Sequence, residues 1–470
     1  MINRRGFMRG AAAVGAAAGT AKFRAARAAG ADALNGKIFY QDDARYEALR
    51  EAATFNARKP DRYPNAIVLA QNEDDVIAAV KLAKQRGWQV ATRSGGHSWT
   101  GSHTRDHSIQ INLARMQEMS IDPQARIAKI SPSITGNTLN KKLREEYALF
   151  TPSAHGANVG MGGFVLCGGH GWNSRVFGLG CANLTALDVV NADGELIHAD
   201  EQHNSDYLWA ARGSGPGFFG VATRYYQRLH ARPKFTRSSG SRYEPDQLVP
   251  VITWLRNSLP SFPTNLEVVL TYTTRDGKLA VTVAGTCMGD DEAEVNATLA
   301  VMASIPVIAQ ATTKWENRDR IVPYDTEPPG DVQPTGARFS VDNVWTNAPA
   351  DQLVPHLQRV CDTLPTPLAS LFLQCWGPIQ KLPDMAYSVQ ADLYIAINGT
   401  YYDPADDARV ADWVVDMSRS MSSISAGAQM NDENMARNPS RYLSPAADKR
   451  LAALRRKHDP SARFTGFLRA

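Results

Sequence analysis

The chain has 470 residues, 43% apolar and 21% charged, with 35 Gly, 26 Pro and 5 Cys. This ordinary usage excludes disordered, collagen-like and disulfide-scaffold classes, and the length predicts about two to four domains with sizeable cores. The formal charge of +4 sits in residues 1–28, where Arg4, Arg5, Arg9, Lys22, Arg24 and Arg27 meet no acid; the remainder holds 45 basic against 47 acidic residues and gives no hint of nucleic acid.

The first segment reads as an address. A charged start with Arg4-Arg5-Gly6-Phe7-Met8, the Ala-rich stretch 11–21 and small residues around Ala26-Arg27-Ala28 form an export signal too short to span a bilayer. It resembles the twin-arginine signal of bacterial exported proteins, so residues 1–28 are expected to be a signal peptide and the mature chain periplasmic or secreted. No later run of 18 apolar residues follows, so no membrane anchor is expected in the mature chain. The five cysteines, odd in number and without C-x-x-C, point to neither a zinc ribbon nor a redox pair; an oxidising compartment permits one or two disulfides without choosing a pairing.

In chain order, 42–58 reads as a helix and Ala66–Leu69 as a strand; Asn72 caps a helix that stops at Gly87. Strands follow at Trp88–Thr92, Ser108–Leu113 and Arg126–Ile130, then a helix at Thr138–Tyr147. A hairpin is predicted at Thr185–Val190 and Glu195–His198, a short helix at Ser205–Arg212 and a strand at Val221–Leu229. The Arg- and Ser-rich stretch Pro233–Ser241 reads as a domain boundary. Beyond it, strands at Glu267–Thr274, Leu279–Gly285 and near 338–345, 369–375 and 389–398, with a helix at Glu292–Met302, predict an antiparallel sheet with helices on one face. Residues 432–470 are polar and end in an amphipathic helix, Asp448–Lys457.

Four glycine-rich stretches fall between residues 93 and 220: Ser94–His97, Gly160–Gly163, Gly168–Gly171 and Gly213–Gly220. Glycine at this density marks close backbone approach, as when peptide N–H groups wrap an anionic ligand. Gly215-Pro216-Gly217-Phe218-Phe219-Gly220 satisfies G-x-G-x-x-G in the wrong context, because a helix precedes it and a strand follows. The glycine loops instead suggest a long ligand threaded between two small sheets.

Arg93-Ser94-Gly95-Gly96-His97-Ser98 resembles the R-x-G-G-H-[S/N] signature of FAD-linked oxidases, the berberine bridge enzyme-like branch of the vanillyl-alcohol oxidase superfamily. The likeness continues through Val159-Gly160-Met161-Gly162-Gly163, Gly169-His170-Gly171-Trp172, Arg175, Asn183, Trp209–Gly213, Gly220-Val221 and His458–Phe464. The resemblance implies an α+β fold: a two-subdomain, PCMH-type FAD-binding domain over residues 40–232 and 432–470, and an antiparallel-sheet substrate domain backed by helices over 233–431. It implies FAD-binding roles for Arg93, Ser94, Gly95, Gly96, His97, Ser98, Val159, Gly160, Gly162, Gly163, Gly169, His170, Gly171, Trp172, Gly220 and Val221. His97 falls where the family bonds its imidazole covalently to the flavin. A second link through cysteine is not expected, because Gly156 stands at that cysteine's position and Cys167 lies elsewhere.

The implied chemistry is a FAD-dependent oxidase acting on a small molecule: hydride leaves a C–H that bears OH or NH, a base takes the proton, and dioxygen reoxidises the flavin with release of hydrogen peroxide. Val159 beside the expected flavin face leaves room for dioxygen. The family's Y-x-N tyrosine is replaced here by Gln429-Met430-Asn431, and Asn398 stands where Gln or Glu is expected. Neither amide is a base at neutral pH. Tyr394, Tyr401 and Tyr402 near Asn398 are therefore the candidate bases, with Asn398 and Gln429 beside them, unless the substrate ionises itself as a phenol can. The lost positions argue against the carbohydrate-oxidising relatives. The alternatives are a flavin dehydrogenase using another acceptor, a secreted metal-dependent hydrolase or metal-binding protein built on His97, His103 and His107, and a non-enzymatic binding protein; the histidine spacing matches no H-E-x-x-H-type site.

Overall fold

In a computed structural model, residues 34–171, 174–319, 334–377 and 381–468 are described. The leader and Trp172 lie outside them. The architecture is α+β, with two small sheets followed by one large one. The first small sheet has order β1-β2-β4-β3: β1 (Ile38–Tyr40), β2 (Ala66–Leu69), β3 (Gln89–Arg93) and β4 (Ser108–Asn112), with β2, β4 and β3 parallel. The second comprises β5 (Met119–Asp122), β6 (Ile127–Ile130), β8 (Leu184–Val190), β9 (Leu196–Ala199) and β10 (Val221–Arg228), all antiparallel, in the order β5-β6-β10-β8-β9. The short β7 (Leu149–Phe150) and β11 (His230–Ala231) pair beside them.

Helix Glu73–Arg86 contacts strands of both small sheets. Asn72 Oδ1 accepts from the Asp75 N–H at 3.0 Å and Gly87 closes the helix in the left-handed region, as the sequence predicts. Val76, Ala79, Val80 and Ala83 are fully buried; small side chains let a helix lie close against a sheet. The predicted helix over 42–58 shrinks to Tyr46–Ala52.

The large sheet comprises β12 (Phe235–Tyr243), β13 (Leu266–Arg275), β14 (Lys278–Gly289), β15 (Thr313–Asp319), β16 (Arg338–Thr346), β17 (Ser370–Cys375), β18 (Leu393–Tyr401) and β19 (Ser425–Gly427), in the order β15-β12-β14-β13-β17-β18-β16-β19. The stretch read as a boundary, Pro233–Ser241, thus mostly forms a strand: β12 pairs with both β14 and β15. Helices Leu248–Ser258, Glu292–Leu299, Ala350–Asp362 and Asp407–Ser420 back one face. Beneath them, Val268, Leu270, Val281, Val283, Leu393, Ile395 and Ile397 form a closed core, each such side chain contributing about 1.5–3 kcal/mol by burial. Because strand side chains alternate, a one-residue slip of β18 would expose this core and turn its opposite face inward, so packing fixes which residues face the small sheets.

The C-terminal segment returns to the first sheets. Helix Pro445–His458 sends Arg455 Nη1 to the Gly217 carbonyl at 2.8 Å, and Phe464 forms a parallel bridge with Val90. All five cysteines are free. Among the described residues no helix is long and apolar enough to cross a membrane, and no group of three or more His, Cys, Asp or Glu could hold a metal ion.

Candidate active site

A cavity of about 1140 Å³ lies between the glycine loops and the open face of the large sheet. It exceeds the roughly 300–1,000 Å³ of ordinary small-molecule sites, giving room for a cofactor and a substrate together. Ser94–Ser98 and the Val159–Gly163 loop form one wall; Tyr394, Ala396, Asn398 and Thr400, alternate residues of β18, form part of the other.

On the sheet side, the Tyr394 hydroxyl donates to Asp432 Oδ2, and Trp99 Nε1 donates to Asp432 Oδ1 at 2.6 Å. The next residue repeats the clasp: Thr100 Oγ1 donates to Glu433 Oε1 at 2.6 Å. The chain that follows the large sheet is thereby pinned to the loop that follows His97. Burial pushes the Asp432 carboxyl above the ordinary carboxylate range, against its two hydrogen bonds, which pull it down. Burial, then the neighbouring Asp432 charge, pushes the Tyr394 phenol well above its usual value. Tyr394 is thus a neutral donor to a buried carboxylate.

On the loop side, the His97 ring lines the cavity and stacks on Phe55, centroids 4.9 Å apart and planes 19° apart. His170 is neutral, its pKa pushed down to about 3 by burial. Its Nδ1 accepts from Gln429 Nε2 at 3.1 Å, which leaves Nε2–H facing the Tyr387 hydroxyl at 3.2 Å.

Residues 64–200 match the family described as FAD binding domain. The FAD-linked oxidoreductase nodO of Hypoxylon pulicicidum is 32% identical over 436 residues, covering 90% of this chain and 94% of that relative. This chain belongs to the FAD-linked oxidoreductases. The (R)-6-hydroxynicotine oxidase of Paenarthrobacter nicotinovorans is 29% identical over 201 residues, 43% of each chain. The fold matches the solved structure of Physcomitrella patens BBE-like 1 with a TM-score of 0.80 at 19% identity, over 92% of this chain and 96% of that one. The α+β, PCMH-type architecture and membership of the vanillyl-alcohol oxidase superfamily follow.

The loop wall of this FAD-linked oxidoreductase fits the cofactor. A Cβ at Gly95 would lie 2.7 Å from the Gly160 nitrogen, so only bare backbone lets the two loops meet, while a side chain at Gly163 would enter open space. His103 Nε2, buried in the same wall, has no hydrogen-bond partner among the described residues, and a polar ligand atom there would satisfy it.

Most residues of the FAD-linked oxidoreductase named from the sequence come together here. Ser94, Gly95, Gly96, His97, Ser98, Val159, Gly160, Gly162, Gly163, His170, Gly220, Tyr394, Asn398 and Gln429 all line the cavity. Others act behind the wall. Arg93 sends Nε to the Ala53 carbonyl at 3.1 Å and Nη1 to the Ser94 carbonyl at 2.7 Å, shaping the loop without lining the cavity. Gly169 and Gly171 allow close packing, since a Cβ would strike Gly180 in one case and the Ser153 carbonyl in the other. Val221 is fully buried at the start of β10.

Four catalytic expectations need correction. Tyr401 faces away from the cavity: its hydroxyl donates to Asp407 Oδ1 at 2.8 Å, a carboxylate also held by Arg338. Gln429 lines the cavity, but its amide N–H holds His170. Asn398 stands four residues along β18 from Tyr394, about 13 Å at 3.3 Å per residue, too far to assist it. Tyr402 is 54% exposed on the surface. Replacing Tyr401 by Phe is expected to leave turnover unchanged and cost about 1 kcal/mol for the lost hydrogen bond, measured by steady-state assay and urea unfolding.

Asp432 escaped the sequence reading, although it directly follows Gln429-Met430-Asn431, the stretch standing where the family's Y-x-N falls. Its acidic side chain was the available signal.

Proposed function

We propose that this chain is an exported FAD-dependent oxidase, with FAD carried covalently on His97, that oxidises a C–H bearing OH or NH in a small organic molecule and passes the electrons to dioxygen. The observation that carries this reading is the facing of two half-sites across one cavity: the glycine-walled loop with His97, and the Tyr394–Asp432 pair. Residues 40–232 and 432–470 would form the FAD-binding domain and 233–431 the substrate domain, with residues 1–28 removed on export. The related (R)-6-hydroxynicotine oxidase supports the oxidase assignment.

Bound flavin supplies the hydride acceptor. This chain's residues handle the proton. Tyr394 Oη takes the substrate's O–H or N–H proton as its own passes to Asp432, while Trp99 holds that carboxylate in place. A single covalent link is expected. Gly156 offers no thiol, and burial pushes the cavity-lining Cys167 thiol up to about 12, which disfavours its thiolate. Val159 leaves space for dioxygen.

Purified protein incubated with a panel of alcohols, phenols and amines should release hydrogen peroxide in step with substrate consumed. Turnover that needs an artificial electron acceptor and yields no peroxide would establish the dehydrogenase reading instead.

A further inference from the structure

The cavity does not end at Tyr394. It continues across the large sheet to its opposite edge, where Trp315 and Arg242 line it. The register places six residues in one row on that face: Tyr394 opposite Gln374, Gln374 opposite Val269, then Ala284, Gly240 and Trp315. Val269, Ala284 and Gly240 make the middle of this row low and apolar, a trough with taller side chains at both ends. The Trp315 ring lies over Gly240, where any Cβ would collide with it, and Trp315 Nε1 donates to Ser238 Oγ at 3.2 Å.

A second observation marks the row as a ligand site. Gln374 is 5% exposed and lines the cavity, yet its Nε2 has no hydrogen-bond partner among the described residues. A buried amide donor without an acceptor is uncommon in a folded chain. It sits directly across from Tyr394, where a substrate oxygen at the reacting carbon would accept from it.

The outer end is cationic. Arg242 on β12 and Arg318 on β15, the two outermost strands there, line it. Asp319, the acid lining the same end, is engaged by Arg237, and Arg242 meets Asp276 at 3.2 Å, a carboxylate whose side chain is 91% exposed. Such a solvated surface pair exchanges readily for a better anion. Arg242 stands on β12, four strands from β18, so it lies roughly 19 Å from the Tyr394 strand at about 4.8 Å per strand spacing.

We infer that the substrate is an elongated, mainly apolar alcohol lying across the sheet, its reacting hydroxyl at Tyr394 and Gln374 and an anionic group at Arg242. This rests on the oxidase reading and specifies its substrate class. A compact neutral substrate would leave the trough, the Gln374 donor and the arginines without a role.

The test is calorimetric binding of ω-hydroxy fatty acids of increasing length, from hexanoate to hexadecanoate, and of the matched neutral diols, to the flavin-loaded full chain. Affinity is expected to rise with length and to be tenfold or more higher for the longest acid than for its diol. Arg242→Met should weaken the long acid about tenfold and leave the diol unchanged. Ala284→Phe, which fills the trough floor, should weaken hexadecanoate and spare hexanoate. Equal binding of acid and diol, or no dependence on length, in protein whose visible spectrum shows flavin would overturn this inference alone. Protein that takes up no flavin would remove the oxidase reading with it.

Discussion

Replacing Tyr394 by Phe is expected to lower kcat by about 10²- to 10⁴-fold, the range for losing a positioned proton acceptor, while FAD stays bound. The phenol lines the cavity and donates to the buried carboxylate, and Phe keeps the ring packed against Trp345 while deleting the oxygen. Asp432→Asn should produce a comparable loss with a diagnostic pH signature. The relay needs Asp432 ionised, and burial has raised its pKa, so wild-type kcat should fall as pH drops through that raised value. The Asn variant has no such group, and its low kcat should be flat over the same range. A Tyr394→Phe enzyme with wild-type kcat would remove Tyr394 from the chemistry. An acid limb unchanged in Asp432→Asn would assign that limb to another group.

The second large effect concerns His97. His97→Ala should abolish flavin fluorescence in a denaturing gel and leave any bound FAD extractable, because a single covalent link, through His97, is expected. The fold should survive: the mutation removes one ring stacked on Phe55, worth about 0.5–1.5 kcal/mol beyond its area, and Phe55 keeps Trp99 and Phe339 as neighbours. Fluorescence persisting at wild-type intensity would move the attachment elsewhere, with Cys167 the first place to look.

What the sequence could say depended on whether a residue's identity reports its surroundings. The glycine loops were legible because glycine at Gly95 and Gly160 records backbone approach, whatever the rest of the fold does. Helix Glu73–Arg86 was legible from Asn72 and Gly87, both local signals. Tyr394 and Tyr401 were named together, yet they lie seven apart on one strand and so cannot share a face; strict alternation would have rejected one of them. The stretch before Ser241 read as a boundary because it is polar, but β12 is polar for another reason: Ser238 and Arg242 turn toward the cavity. Asp432 was hidden because its role depends on a partner 333 residues away, Trp99, and no local pattern encodes that return of the chain. The row from Tyr394 to Trp315 likewise exists only once six strands take their register.

Covalent flavin at His97, facing the Tyr394–Asp432 pair across one cavity, is the central proposal. The most direct test is to precipitate the purified full chain with acid, wash away free FAD, and map flavin-bearing peptides by mass spectrometry. The account predicts a yellow pellet with a single modified peptide containing His97. A colourless pellet with all flavin in the supernatant, or a protein that never carried flavin, would contradict it.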